Sequence, residues 1–209
     1  MKIELLLLEL KEIKEKGLTN SINKELEKVK KDIILLSNDN VIYNKGYKSL
    51  ILDEFKKKPN ADIIIFNISG DRRINKSKRM NLINYRDYSY YRIAFRNESI
   101  KNKNMVFNSF FENDNDTSFV IDAIKNKLKV YVCSKYIGKL DENENIYNDK
   151  YFFEKGALCT AISTRFRKLV MLKYLIVNRK EFKNISFFKA YKYMKNGSLK
   201  YLERIYKKL

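Results

Sequence analysis

Asp32–Tyr47 reads DIILLSNDNVIYNKGY, and its reading decides the fold. Ile33–Leu36 is a short, unbroken apolar run, the pattern of a strand buried on both faces. It stops at Asn38-Asp39-Asn40, one acid between two amides. Beyond Gly46 the apolar spacing changes: Tyr47, Leu50, Ile51 and Phe55 lie on one face of a helix that Pro59-Asn60 ends. A second apolar run follows at Asp62–Ile68. Strand, helix, strand at this spacing is a crossover unit and predicts parallel strands in an α/β sheet.

The pattern extends both ways. Upstream, Gly17 breaks the chain, and Thr19 or Asn20 can cap a helix running to about Lys30. Residues 3–10 are apolar at too many consecutive positions to separate strand from buried helix. Downstream, residues 69–91 are basic and tyrosine-rich and read as an irregular excursion or an edge hairpin. Arg92–Phe95 and Lys129–Cys133 read as strands, and a helix begins near Thr117. After a polar loop at 140–150 the chain reads as helical, with Gly156 and Gly197 as punctuation. The expected units are residues 1–150, a core, and 151–209, a basic helical extension packed on it.

Composition narrows the chemistry. With 209 residues, 44% hydrophobic and 33% charged, the chain fits a soluble globular protein. It has no His, which excludes His-based triads and His metal sites. Cys133 and Cys159 lack metal-ligand spacing and read as buried thiols of a reducing cytoplasm. No apolar run reaches the ~20 residues of a membrane span. The net charge is +19; residues 161–209 hold fourteen Lys and Arg against Glu181 and Glu203, so +12 of it lies there. Such charge invites a polyanion; the plain reading is solvated helix faces in a Lys-rich chain, and the sharper one is a surface that rests on anionic lipid headgroups. A nucleic-acid reading would rest on Tyr85, Tyr88, Tyr90 and Tyr91 beside Arg86 and Arg92 as a stacking platform. No nucleic-acid-binding module accompanies them, which weighs against it.

Two polar clusters sit at chain corners, Asn38–Asn40 after one strand and Asp114–Asp116 before one helix. In open α/β sheets ligands bind at the carboxyl ends of strands. The ordered segments GLTNSINKEL, DIILLSNDNVIYNKGY, ADIIIFNI, IAFRNESIKNKNMVFNSFF and NDTSFVIDAIKNKLKVYVCSKYIG resemble the later part of a family 2 glycosyltransferase domain of the kind that builds capsule and other surface polysaccharides. The likeness runs from about Gly17 to Tyr201. It implies a partial GT-A-like (Rossmann-like) α/β fold: a mostly parallel sheet flanked by helices, followed by the basic helical region.

The resemblance also implies site residues. Its Asp-x-Asp corner holds Mg²⁺ or Mn²⁺ on the diphosphate of a nucleotide-sugar, since hard cations take oxygen ligands. Here Asn38, Asp39 and Asn40 fill the corner, so Asp39 and Asn40 are weak metal candidates. Asp116 falls on the base that takes the acceptor's proton; as a bare sequence feature it is also a helix N-cap. Gly17, Ser21 and Asn23 match a motif near the nucleotide, with Ile22 where Arg is usual. The elements that grip the nucleotide base are expected to be absent, as in an N-terminally truncated copy or the second half of a split gene. The implied partners are a nucleotide-sugar donor, a glycan or lipid-linked acceptor at the inner membrane face, and a chain completing the domain. The alternative is a non-catalytic remnant or partner subunit.

Overall fold

The computed structural model describes residues 4–9, 18–37, 40–85, 88–111, 115–141, 148–179, 182 and 185–207. The chain divides into two compact units, Met1–Asn143 and Glu144–Leu209.

The first unit is a mixed α/β sheet with helices on both faces. Strands β1 (Leu5–Glu9), β2 (Ile33–Ser37), β4 (Ile63–Ser69) and β7 (Val130–Leu140) run in one direction. Strands β3 (Val41–Tyr43), β5 (Lys78–Arg79) and β6 (Ile93–Arg96) run against them. The order is β1-β2-β6-β4-β7-β3, with β5 also on β7. The undecided run at the N-terminus is thus a strand, Leu5 pairing with Ile33. Strands β2 and β4 are parallel in direction, as the crossover spacing predicts, but they are not neighbours: β6 lies between them.

Alternation sorts the strand side chains into two layers. Ile34, Leu36, Ile63, Ile65, Phe95 and Val130 pack with Ile22, Leu26 and Val29 of α1 (Leu18–Lys28) and Phe119 and Ala123 of α4 (Asn115–Lys125). Ile33, Leu35, Ile64, Phe66, Ala94 and Ile137 pack with Ile51 and Phe55 of α2 (Tyr47–Lys57). Each such side chain contributes about 1.5–3 kcal/mol when fully buried, which is why the continuous apolar runs become central strands. Helix α1 already includes Thr19 and Asn20, so neither caps it. A short helix α3 (Asn97–Asn102) follows β6. The β4–β7 register shifts around Asn67. That buried amide satisfies the irregular backbone, donating to the carbonyls of Ile74 and Ser134 (both 2.9 Å) and accepting from the Ile74 N–H (2.7 Å). Glu54 on α2 is buried and ion-paired with Lys135 of β7 at 2.8 Å.

The second unit holds α5 (Asp149–Ile162), α6 (Arg167–Val177) and α7 (Phe187–Tyr206) around Phe152, Cys159, Met171, Leu175, Ala190 and Met194. Asn148 caps α5 and Ser186 caps α7. Gly156 and Gly197 do not punctuate helices; both lie inside them. A Cβ on Gly156 would stand 1.8 Å from the Met194 carbonyl oxygen, and one on Gly197 1.8 Å from that of Phe153. The two glycines let α5 and α7 pass backbone to backbone, and a Thr160–Ser198 hydroxyl bond of 2.7 Å closes the crossing. Both cysteines are buried and outside any disulfide.

Candidate functional site

Strands β2 and β4 run the same way, so their carboxyl ends open on one rim of the sheet. The polar corner follows Ser37. Asn38 and Asp39 lie outside the described residues; Asn40 is an exposed turn residue leading into β3. Its carbonyl accepts from the Asp141 N–H at 3.0 Å, tying the corner to the end of β7. After β4 the chain turns at Gly70, whose φ of +90° suits glycine, with Leu140 closely opposed. Asn40, the Ser69–Asp71 turn and Asp141 therefore share the rim.

A buried ionic network braces it from beneath. Arg92 is fully buried and all three guanidinium nitrogens have partners. Nε donates to the Phe66 carbonyl (2.8 Å), Nη1 to the Arg72 carbonyl (2.9 Å) and Nη2 to Asn67 Oδ1 (3.2 Å). Nη1 also pairs with Asp71 Oδ2 at 3.0 Å, and the guanidinium lies 4.9 Å from the Tyr88 ring centre. Ser89 and Tyr91 hydroxyls donate to the same Asp71 oxygen. Burial pushes the Tyr91 phenol up, and the Asp71 charge adds to it. Tyr43 of β3 donates to the Tyr91 carbonyl at 3.0 Å, with the Leu36 carbonyl at 3.4 Å. The chain of bonds thus runs from the end of β2 to the turn after β4.

This placement takes Tyr88, Tyr91 and Arg92 out of the stacking group, while Tyr85 is half-buried. Tyr88, Tyr91 and Arg92 are buried, because the excursion at 69–91 folds back to supply the cation and hydroxyls that Asp71 needs. Arg86 lies outside the described residues.

The other sequence candidates form a second group. Asn23 of α1 holds the backbone of Phe107 from both sides: its Nδ2 donates to the carbonyl (3.0 Å) and its Oδ1 accepts from the N–H (2.8 Å). Phe107 stacks on Phe119 of α4, with ring centres 4.2 Å apart. Asn23 therefore helps position the helix that carries Asp116. Asp116 sits in the first turn of α4, which starts at Asn115, so it is inside the helix rather than its N-cap. It is buried, and its Oδ1 accepts from the Thr117 N–H at 2.6 Å. Gly17 and Asp114 lie outside the described residues, and Ser21 stands in α1.

Sequence reasoning missed Asp141, Asp71 and Tyr43, and read Arg92 as a stacking cation rather than a buried brace. The Gly70-Asp71 pair directly after an apolar run was the available signal for a strand-end turn. Among the described residues no three Asp, Glu, His or Cys side chains gather as a metal cluster. The corner's side chains offer oxygen donors of the kind a hard divalent cation takes, with Asp39 as their one carboxylate. Two cavities lie apart from the corner. One of 170 Å³ is lined by Arg73, Lys76, Lys78, Met80 and Tyr88; a groove of 410 Å³ is lined by Asn23, Leu26, Phe95, Ile100 and Met105.

No protein-family model matches the sequence, and no curated protein does. Solved structures do. The crystal structure of S. aureus TarS 1-349 superposes with a TM-score of 0.59 at 12% identity, over 83% of this chain and 56% of that one. The same fragment in complex with UDP gives 0.55 at 14%, over 83% and 56%. Its complex with UDP-GlcNAc gives 0.53 at 14%, over 76% and 52%. The chain spans little more than half of the TarS 1-349 chains it matches and 34% of the longer TarS chain. At such identities the likeness concerns the fold: the mixed α/β architecture of this chain resembles that of TarS, a GT-A-type glycosyltransferase.

Proposed function

We propose that the chain is a glycosyltransferase-like protein whose ligand is a nucleotide-sugar, working on a surface-polysaccharide or lipid-linked acceptor at the cytoplasmic membrane face. The observation that carries this is the fold likeness to TarS, whose structures include UDP and UDP-GlcNAc complexes. The position of Asn40 supports it, since the corner stands at the carboxyl ends of strands running one way.

In the inverting reaction an acceptor oxygen attacks the anomeric carbon. A new C–O bond forms, the bond to the diphosphate oxygen breaks, and the nucleoside diphosphate leaves. Asp116 takes the acceptor's proton. The Asn23–Phe107–Phe119 contacts hold its helix in place. Asp39 and Asn40 would hold a Mg²⁺ or Mn²⁺, which when bound offsets charge on the departing diphosphate. The Arg92–Asp71 network holds the turn after β4.

Calorimetry of UDP binding, with and without Mn²⁺, tests this. Metal-dependent binding is expected, followed by sugar transfer that Asp116→Asn abolishes. Absence of binding for UDP and other nucleoside diphosphates would overturn it. A second reading, a non-catalytic partner of a larger transferase, is favoured by Asn38 and Asn40 standing where the resemblance expects acids. Nucleotide binding without turnover of any donor would support that reading.

A further inference from the structure

Helix α6 has two apolar faces, and among the described residues only one is buried. Met171 and Leu175 are buried in the core of the second unit, with Asn178 one turn on. On the other side Leu169, Leu172 and Ile176, spaced three and four residues apart, are 64%, 36% and 66% exposed. Phe166 and Val177 extend this stripe at 53% and 70% exposure. Arg165, Lys168, Lys173 and Arg179 are exposed around it, and residues 161–179 contain no Asp or Glu. The helix has 11 residues, about 16 Å, and among the described residues no helix is long and apolar enough to cross a membrane.

We propose that this outward face of α6 seats on an anionic bilayer surface. Leu169, Leu172 and Ile176 enter the interfacial layer while Lys168, Lys173 and Arg179 meet lipid phosphates. Lys173 lies within the stripe, where its alkyl stem can lie along the apolar layer and its ammonium reach the headgroups. Charge decides the occupant. A second copy of the same face, brought up by two-fold symmetry, would set cations against cations. A nucleic acid would gain nothing from a stripe of leucine and isoleucine at the centre of the patch. The inference does not rest on sugar transfer, and its test uses no nucleotide.

The test is flotation of the full chain with vesicles of phosphatidylcholine alone or mixed with phosphatidylglycerol. Binding is expected to the mixed vesicles only. Leu169→Glu with Ile176→Glu should weaken it about tenfold or more. Lys168→Gln with Lys173→Gln, which leaves the apolar stripe intact, should weaken it about tenfold as well. Lys45→Gln with Lys48→Gln, in the first unit, should leave it unchanged. Absence of binding, equal binding to uncharged vesicles, or full binding by Leu169→Glu with Ile176→Glu would overturn the proposal. So would a dimer in solution that this apolar pair of substitutions converts to monomer, since a second copy would then cover the face.

Discussion

Replacing Gly156 by Ala sets two effects of opposite sign against each other. In an exposed helix the change gains about 1 kcal/mol in helix propensity. Here the added methyl would stand 1.8 Å from the Met194 carbonyl oxygen. Ordinary contact is roughly 3.5 Å, so α7 must withdraw by more than about 1.5 Å. Backbone cannot rotate aside as a side chain can, and retreat loosens Phe152 against Met194 and stretches the Thr160–Ser198 bond. Overpacking costs about 1–3 kcal/mol when side chains can yield; the upper end applies here, leaving a net loss of about 2 kcal/mol. Cys159 is buried in the same unit and makes a local reporter. In native buffer its labelling by a thiol reagent should become about 30-fold faster, as 2 kcal/mol of easier opening requires. Cys133 gives a separate reading of the first unit. Slower Cys159 labelling, with a urea midpoint above that of the parent, would show that propensity wins and that the close crossing is wrong.

Arg92→Met should cost about 3–5 kcal/mol, because it leaves the Asp71 charge without its buried cation and takes one donor each from the Phe66 carbonyl, the Arg72 carbonyl and Asn67 Oδ1; adding Asp71→Asn should recover part of it, and strictly additive urea midpoints would refute the pairing. Glu54 is buried, which by itself raises a carboxyl, but hydrogen bonds and charge from Lys135 and Lys58 outweigh burial and hold it at about 2 against an ordinary 4.5. Its contribution is therefore complete above pH 4.5 and lost as pH falls from there through 2. Roughly 1–3 kcal/mol is at stake after screening of the exposed lysines. Urea midpoints at pH 7 and pH 3 should differ less for Glu54→Gln than for the parent. Asn38→Asp with Asn40→Asp should raise Mn²⁺ affinity about tenfold or more, and an unchanged titration would mean that the corner is not a cation site.

The central strands were legible because Ile33–Leu36 and Ile63–Ile68 are buried on both faces, and continuous apolar runs have few other uses. Strand β3 was not: Val41–Tyr43 is three residues long, and its pairing with β7 is a long-range event with no local trace. The same holds for the far half of β7, where Ser134–Leu140 is polar enough to look like loop. Gly156 and Gly197 read as breaks because a glycine's use at a helix crossing depends on a partner helix. Arg92 read as a surface cation, since its acid and carbonyl partners come from the other side of a turn. At the site, the sequence indicates Asn40 and Asp116 as separate corners. It gives no sign that Asp141 bonds to the first, or that Asn23 supports the helix of the second.

The placement of β6 bears on how this chain is made. Ribosomes deliver β2 and β4 before β6, so both present unpaired edges while the excursion at 69–91 is still emerging. At about 5–20 residues per second the stretch from Ser69 to Arg96 takes roughly 1–5 s. During that interval two of the most apolar strands in the chain wait for the short segment that joins them. Nascent chains stalled between those points should be held by a chaperone or aggregate more than chains stalled beyond Leu140, where β7 has covered the other edge of β4.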